Sequence, residues 1–191
     1  MLKTKVKAYF ADEIAESFKE EIEYAKKHQL LDESRIVTEK SPELRFSNAY
    51  IERGDKETEE SIGEEAANFL NQPIDYLKRN INEFIYIESD WFQMIHTESI
   101  CLEVDDVFGT YEVMLGLKLQ KKFEKAIKAY VEQELMGDKK VSILFNQGDG
   151  LWDFNLALNH INGFKENLTI NEALNLVYSF LFKLIESVEE Q

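Results

Sequence analysis

The assignment of this chain's fold depends on the stretch LEVDDVFGTYEVMLGL, residues 102–117. Three carboxylates, Glu103, Asp105 and Asp106, fall within four residues there and run into an apolar segment. Acidic side chains are stabilised in the first turn of a helix because they face the positive end of the helix dipole. An aspartate at this position also caps a helix by accepting a backbone N–H bond. The stretch therefore predicts the acidic start of a buried helix.

Downstream of these acids, the apolar pattern predicts one long helix over residues 105–136. The pattern steps by four residues, which places its members on one helix face: Tyr111, Leu115, Leu119, Phe123 and Ile127. Gly137 follows the pattern and suits the end of a helix. Gly109 and Gly116 lie seven residues apart on nearly the same face, and a close-packed neighbouring helix would explain them.

The remainder of the chain carries further helical patterns. They cover residues 5–28, 41–54, 71–96, 151–163 and 169–190. The last of these starts at a capping box, in which Thr169 and Glu172 bond each other's backbone N–H groups. Only two prolines and eight glycines interrupt the 191 residues, which favours long helices. We predict an all-α single domain, residues 1–191, built as a bundle of five to seven helices.

A minor strand pair within an α+β fold is the alternative to this bundle. Three short segments alternate apolar and polar residues closely enough to form strands, and short apolar runs do not distinguish strand from helix. These segments are residues 44–51, 83–89 and 99–104.

The charge of the chain restricts its partners. It holds 37 Asp plus Glu against 22 Lys plus Arg, a net charge of −15. A surface this acidic repels a phosphate backbone and an anionic membrane, so we expect no nucleic acid and no membrane as partner. A basic protein or a bound cation fits the same surface.

Cysteine content and hydropathy predict a cytoplasmic protein. Cys101 is the only cysteine, so no internal disulfide can form, as is usual in a reducing compartment. The N-terminal residues lack the unbroken apolar segment of a signal peptide. No run approaches the 18 apolar residues that indicate a membrane span.

The acidic triplet is also a candidate metal site. On a helix, Glu103 and Asp106 share a face, so one Mg²⁺ can bridge them, with Asp105 as a third acid. Glu103-Val104-Asp105-Asp106 is similar to the Glu-x-x-Asp half-motif of all-α nucleoside triphosphate pyrophosphohydrolases, in which two helices present acids to Mg²⁺. The other half-motif would come from Glu57 and Glu60, or from Glu20 and Glu23. Both pairs lie farther upstream than that family's usual spacing.

A row of lysines on the predicted long helix is a candidate phosphate or partner site. Its members recur at positions that share one helix face: Lys118, Lys121, Lys122, Lys125 and Lys128. The three histidines, His28, His96 and His160, lie on separate segments without metal-ligand spacing. Any metal site that they form would depend on tertiary contacts.

Two functional hypotheses follow from these patterns. The first is a non-catalytic protein-interaction or regulatory module without cofactor, whose partner is another protein or a second copy in a homodimer. It rests on the last helix, which is apolar nearly all round, and on the lack of a complete catalytic motif. The second is a Mg²⁺-dependent nucleotide or diphosphate phosphohydrolase. In it Glu103 and Asp106 hold the metal, and Lys118 or Lys122 contacts phosphate.

Overall fold

A computed structural model describes residues 1–12, 14–32, 34–137 and 141–190. A two-stranded parallel pair near the N-terminus consists of β1 (Glu16–Ser17) and β2 (Thr38–Glu39). Seven further strands form one antiparallel sheet: β3 (Tyr50–Asp55), β4 (Ser61–Glu65), β5 (Glu83–Glu88), β6 (Ser99–Val104), β7 (Tyr111–Leu117), β8 (Val141–Asn146) and β9 (Leu151–Ala157). Their order across the sheet is β4-β3-β5-β6-β7-β9-β8, so β4 and β8 are the edges.

Six α-helices are present in the described residues: α1 (Leu2–Tyr9), α2 (Lys19–Lys27), α3 (Tyr76–Arg79), α4 (Asp90–Met94), α5 (Glu124–Glu134) and α6 (Ile170–Glu189). Helix α6 is the longest, and 12 of its 20 residues are buried. Short 3-10 turns occupy Pro42–Leu44, Ala67–Asn71, Lys121–Phe123 and Leu158–His160. None of the described helices has the length and apolar character that a membrane span requires.

The two faces of the seven-stranded sheet have different environments. Alternate strand residues point to opposite faces. One set is buried and joins α6 in a single hydrophobic core, for example Ile87, Leu102, Val113 and Phe154. The other set is partly exposed, and Leu144 on β8 is 64% exposed. We call this second side the open face.

The predicted all-α bundle is wrong. The chain is a mixed α/β structure, 38% helical and 28% strand, organised around the antiparallel sheet. Two of the segments with a stated strand alternative, residues 83–89 and 99–104, form β5 and β6. In the third, residues 44–51, only the start of β3 at Tyr50 is a strand.

The largest correction concerns residues 102–117. They form the end of β6, a tight connection over residues 105–110, and the whole of β7. The predicted helix over 105–136 is reduced to α5, which begins at Glu124. The helix was predicted wrongly because residues four apart lie on the same face of a helix and also on the same face of a strand, whose side chains alternate every two residues. Tyr111, Leu115 and Leu119 satisfy both periods, and Val113 and Leu117 between them belong to the strand period alone.

Several other predicted helices are shorter than expected or are strands. Residues 5–28 are divided between α1 and α2, with Glu13 outside the described residues. Residues 151–163 begin as strand β9, and Gly54, expected to end a helix, lies within β3. The exception is α6, whose predicted capping box is confirmed. Thr169 N donates to Glu172 Oε2 at 2.7 Å and Glu172 N donates to Thr169 Oγ1 at 3.1 Å.

Gly54 provides a test of the packing on the open face. An added Cβ at this position would lie 2.1 Å from Cζ of Phe84, whose ring covers the glycine. We expect Gly54→Ala to lower the free energy of unfolding by about 1–2 kcal/mol, because the partly exposed ring must move. Gly63→Ala on the neighbouring β4 is the matched control, since nothing lies within 4 Å of its added Cβ. Equal effects of the two changes in urea denaturation would contradict the prediction.

Candidate functional site

A continuous row of directly paired side chains crosses the open face through all seven strands. Cross-strand partners project to the same side of a sheet, so these residues form one surface. From the β4 edge to the β8 edge the row reads Glu64, Glu52, Tyr86, Cys101, Met114, Asn155 and Ser142.

The strand residues of the open face carry charge of one sign. Six carboxylates belong to it by strand alternation: Glu52, Glu64, Glu88, Glu103, Glu112 and Asp153. All seven strands lie in the described part of the chain, and their single basic residue is Arg53. Arg53 points to the other side, where it contacts Glu65 at 2.7 Å and Glu83 at 3.1 Å. No strand residue therefore neutralises the acids of the open face.

Glu103 lies where this negative charge is most concentrated. It is directly opposite Glu112 on β7, and like charges in such a pair repel each other. Burial raises the pKa of Glu103, and Asp106, Glu112 and Asp105 raise it further, against the opposing effect of Lys56. The folded protein therefore holds this carboxylate at an energetic cost at neutral pH.

Neutralising Glu103 is expected to stabilise the protein. A carboxyl group with a raised folded pKa favours folding below its unfolded pKa, and this contribution is lost as pH rises through the folded pKa. Glu103→Gln should therefore raise the melting temperature at pH 7 by about 1–2 °C, a small gain because the group is partly exposed to solvent. The gain should be smaller at pH 4, because the raised pKa of the native carboxyl group lets it take up a proton as the pH falls. Calorimetry at both pH values measures it, and a destabilised variant at pH 7 would contradict it.

The β6–β7 connection forms a tip beside this acidic pair. Asp105 Oδ1 accepts the backbone N–H groups of Val107 at 2.9 Å and Phe108 at 2.6 Å, and Gly109 adopts a φ of +64° that completes the turn. Val107 is 81% exposed and Phe108 is 65% exposed. The turn thus presents two apolar side chains to solvent at the margin of the open face.

Between this tip and the β8 edge lies a cleft of about 400 Å³. We call it the hairpin cleft. Its walls combine two carboxylates, an aromatic ring and a thioether with the start of β8, and its lining residues are Asp105, Phe108, Glu112, Met114, Val141, Ser142 and Asn155. A long cationic side chain has matching chemistry, with an apolar stem and a positive head group.

The acidic triplet proposed from sequence belongs to this site, but not on a helix. Glu103 is on β6, Asp105 bonds its own turn, and Asp106 contacts Lys56 Nζ at 2.5 Å. Lys56 also donates to the carbonyl of Val104 at 2.8 Å. The sequence predicted that one helix face presents Glu103 and Asp106 to Mg²⁺, but these residues lie on a strand and in a turn. Metal binding by these acids stays a prediction.

The lysines proposed from sequence are divided among different elements. Lys118 follows β7 and pairs with Glu98, and Lys121 and Lys122 lie in a 3-10 turn. Lys125 and Lys128 are in α5, so the five lysines do not form the single helix face that was expected. Their role in binding phosphate or a partner remains a prediction.

Cys101 lies at the centre of the open face but has an unreactive thiol. Burial, together with the negative charge of Glu103, raises the pKa of Cys101 to about 12. A thiol that stays protonated at neutral pH is a poor nucleophile. The centre of this surface is therefore suited to contact rather than to covalent chemistry.

The acids of β3, β4 and β5 on the open face were not among the predicted site residues, namely Glu52, Glu64 and Glu88. A usable signal was present, because Glu and Asp occupy the polar positions of these strands and Lys is absent from them. That signal has meaning only after the segments are recognised as strands.

Comparison with protein families, with curated proteins and with solved structures found no match for this chain. Its function is therefore argued from the geometry and charge of its own surfaces.

Proposed function

We propose that this protein is a non-catalytic binding module for a basic protein, and that the open face is its binding surface. The observation that carries the proposal is the set of six carboxylates on this face with no basic strand residue among them. Folding does not require such an arrangement, since the repulsion around Glu103 opposes it. A bound cationic partner would relieve the repulsion between these carboxylates, and this relief would add to the free energy of binding.

The exposed apolar groups next to the acids support a protein as the partner. Interfaces combine a small apolar anchor region with charged surroundings that orient the partner. Val107 and Phe108 offer the apolar contact, and the hairpin cleft offers a place for an arginine or lysine. A guanidinium there would lie between the carboxylates of Asp105 and Glu112 and close to the Phe108 ring.

The nature of helix α6 favours a different protein over a second copy. Its all-round apolar character suggested a subunit interface, but its buried residues are covered within the chain. Two copies would also bring two acidic faces together, which repel each other. Self-association remains a prediction that sedimentation at micromolar concentration tests.

Titration with an arginine-rich peptide, followed by NMR of the ¹⁵N-labelled protein, tests the proposal. Octa-arginine is the probe, because it presents the expected charge without a fold of its own. We expect the largest shifts at backbone amides of β5, β6, β7 and the 105–110 turn. The double variant Glu103→Gln/Glu112→Gln should bind about tenfold more weakly, as expected for the loss of two partly screened charge contacts.

A matched control separates the open face from the general acidity of the chain. Glu16→Gln/Glu23→Gln removes the same charge from exposed positions near and on α2, and it should change affinity less than twofold. Shifts spread over all acidic surfaces would contradict the proposal. An equal loss of binding in the two double variants would also contradict it.

A further inference from the structure

The ends of helices α2 and α6 meet in a group of potential metal ligands far in sequence from the open face. His28 follows the last residue of α2, and Glu186 and Glu190 lie one turn apart at the end of α6. One ligand atom from each of the three residues lies within 4.8 Å of the others. We call these three residues the helix-end cluster.

The imidazole of His28 is oriented into the cluster without a hydrogen bond there. Its Nε2 atom is buried and has no hydrogen-bond partner among the described residues. It lies 3.6 Å from Glu186 Oε1, beyond hydrogen-bonding distance. The ring is held in place by Tyr24, whose centroid is 4.1 Å away. A buried nitrogen in this state is suited to donate its lone pair to a metal ion.

The charge at the end of α6 is opposite to what a helix prefers. Glu186, Glu189 and Glu190 crowd its C-terminal region, and the last turn has no basic residue. The C-terminus carries the negative end of the helix dipole, so acids there destabilise the helix and a cation stabilises it. The protein therefore maintains an excess of negative charge beside the unpartnered histidine nitrogen.

The ammonium group of Lys27 lies where a metal ion would bind, between the two carboxylates of the cluster. It contacts Glu186 Oε1 and Glu190 Oε1, both at 2.8 Å. The side chain is 56% exposed, so it can leave the cluster for solvent without disturbing the core.

We propose that the helix-end cluster is a binding site for a divalent transition-metal ion of the Zn²⁺ class. His28 Nε2 and one oxygen each from Glu186 and Glu190 serve as ligands, and the metal displaces the ammonium of Lys27. One imidazole and two carboxylates suit Zn²⁺ and its neighbours, whereas Mg²⁺ and Ca²⁺ prefer oxygen ligands alone. Three protein ligands leave a coordination position for water or a partner group.

A metal at this place would link two helices that are far apart in sequence. It would connect the end of α2 to the end of α6, the helix that anchors the core. Any ion that binds only the folded state stabilises it by mass action. The melting temperature should therefore rise with Zn²⁺ concentration and return to its starting value with a chelator.

The test is isothermal titration of the whole chain with Zn²⁺ alone, repeated with Mg²⁺. We expect one site per chain for Zn²⁺ and at least about tenfold weaker binding in both His28→Ala and Glu190→Gln. Lys27→Met should bind Zn²⁺ more tightly than the native protein, because the competing ammonium is gone. Lys26→Met, the exposed neighbour on the same helix, is the control and should leave the affinity unchanged.

The Lys27 result distinguishes a built site from adventitious binding. If Zn²⁺ binds Lys27→Met no more tightly than it binds Lys26→Met, or binds His28→Ala as well as the native chain, the proposal is wrong. Glu190 is exposed, so Glu190→Gln should fold and still test whether a cluster carboxylate binds Zn²⁺, even if His28→Ala fails to fold. Glu103→Gln/Glu112→Gln should retain Zn²⁺ binding, which keeps this test independent of the proposed function of the open face.

Discussion

Arg45→Ala is expected to lower the free energy of unfolding by about 3–5 kcal/mol, the largest effect of any single change considered for this protein. Arg45 is buried, and its guanidinium contacts Glu21 Oε1 at 2.9 Å and Glu20 Oε2 at 2.5 Å. Glu21 is completely buried, and burial raises its pKa although Arg45 lowers it. Alanine would leave the Glu21 carboxylate buried without its cation, which is far more costly than losing an exposed ion pair.

The aromatic surroundings of Arg45 add to this effect. The guanidinium carbon lies 3.9 Å from the ring centroid of Tyr178, 4.2 Å from that of Phe18 and 5.2 Å from that of Trp91. Tyr178 also donates a hydrogen bond to Glu21 Oε1. One side chain therefore connects α2, α6 and the segment after the Pro42–Leu44 turn, and its truncation loosens all three.

Urea denaturation of two further variants tests whether the buried, unpaired charge of Glu21 is what destabilises Arg45→Ala. Arg53→Ala is the matched control, because Arg53 also pairs with two carboxylates but lies at the partly exposed rim of the sheet. It should cost about 1 kcal/mol or less. Glu21→Gln should recover part of the stability lost in Arg45→Ala, because it removes the buried charge. A double variant as unstable as the sum of both single changes would rule out this explanation.

Acid is expected to destabilise the protein through His96. Burial lowers the pKa of His96 to about 4 from its ordinary 6.5, helped by the charges of Lys5 and the N-terminal amine and opposed by Glu189. The depressed pKa means that the unfolded chain binds a proton that the folded protein does not. The stability contribution is therefore complete above about pH 6.5 and is lost as pH falls towards 4. We expect a loss on the order of 1–2 kcal/mol from this group after solvent screening.

The variant His96→Asn isolates this contribution. His96 has a φ of +60°, a backbone conformation that asparagine adopts more readily than most residues, and asparagine does not titrate. Between pH 7 and pH 4, the unfolding free energy of the native protein should therefore fall by more than that of the variant, as measured by urea denaturation. Parallel pH profiles for the two proteins would show that His96 does not carry the effect.

The sequence predicted helix α6 correctly because its signals were local. Thr169 and Glu172 specify its start through bonds that they make to each other, whatever surrounds them. The β6–β7 region had no such signal. Its residues 111, 115 and 119 fit a helix and a strand equally well, and the contacts that decided the matter come from β5 and β9.

The candidate site was predictable only in part for the same reason. Glu103, Asp105 and Asp106 attracted attention because they are adjacent in sequence. Glu52 and Glu64 share a surface with them only through strand pairing, over separations that no local pattern records. His28 likewise meets Glu186 and Glu190 across most of the length of the chain.

Composition and local bonding by themselves determined the acidic character, the lone cysteine, the absence of long apolar segments and the start of α6. These properties depend on residue counts or on neighbours within one helical turn. Only the tertiary structure decided which acids form one face, which carboxylate is buried with Arg45 and which histidine faces the end of α6. Each of these depends on chain segments that meet after folding, where burial and the distance between charges decide the energy.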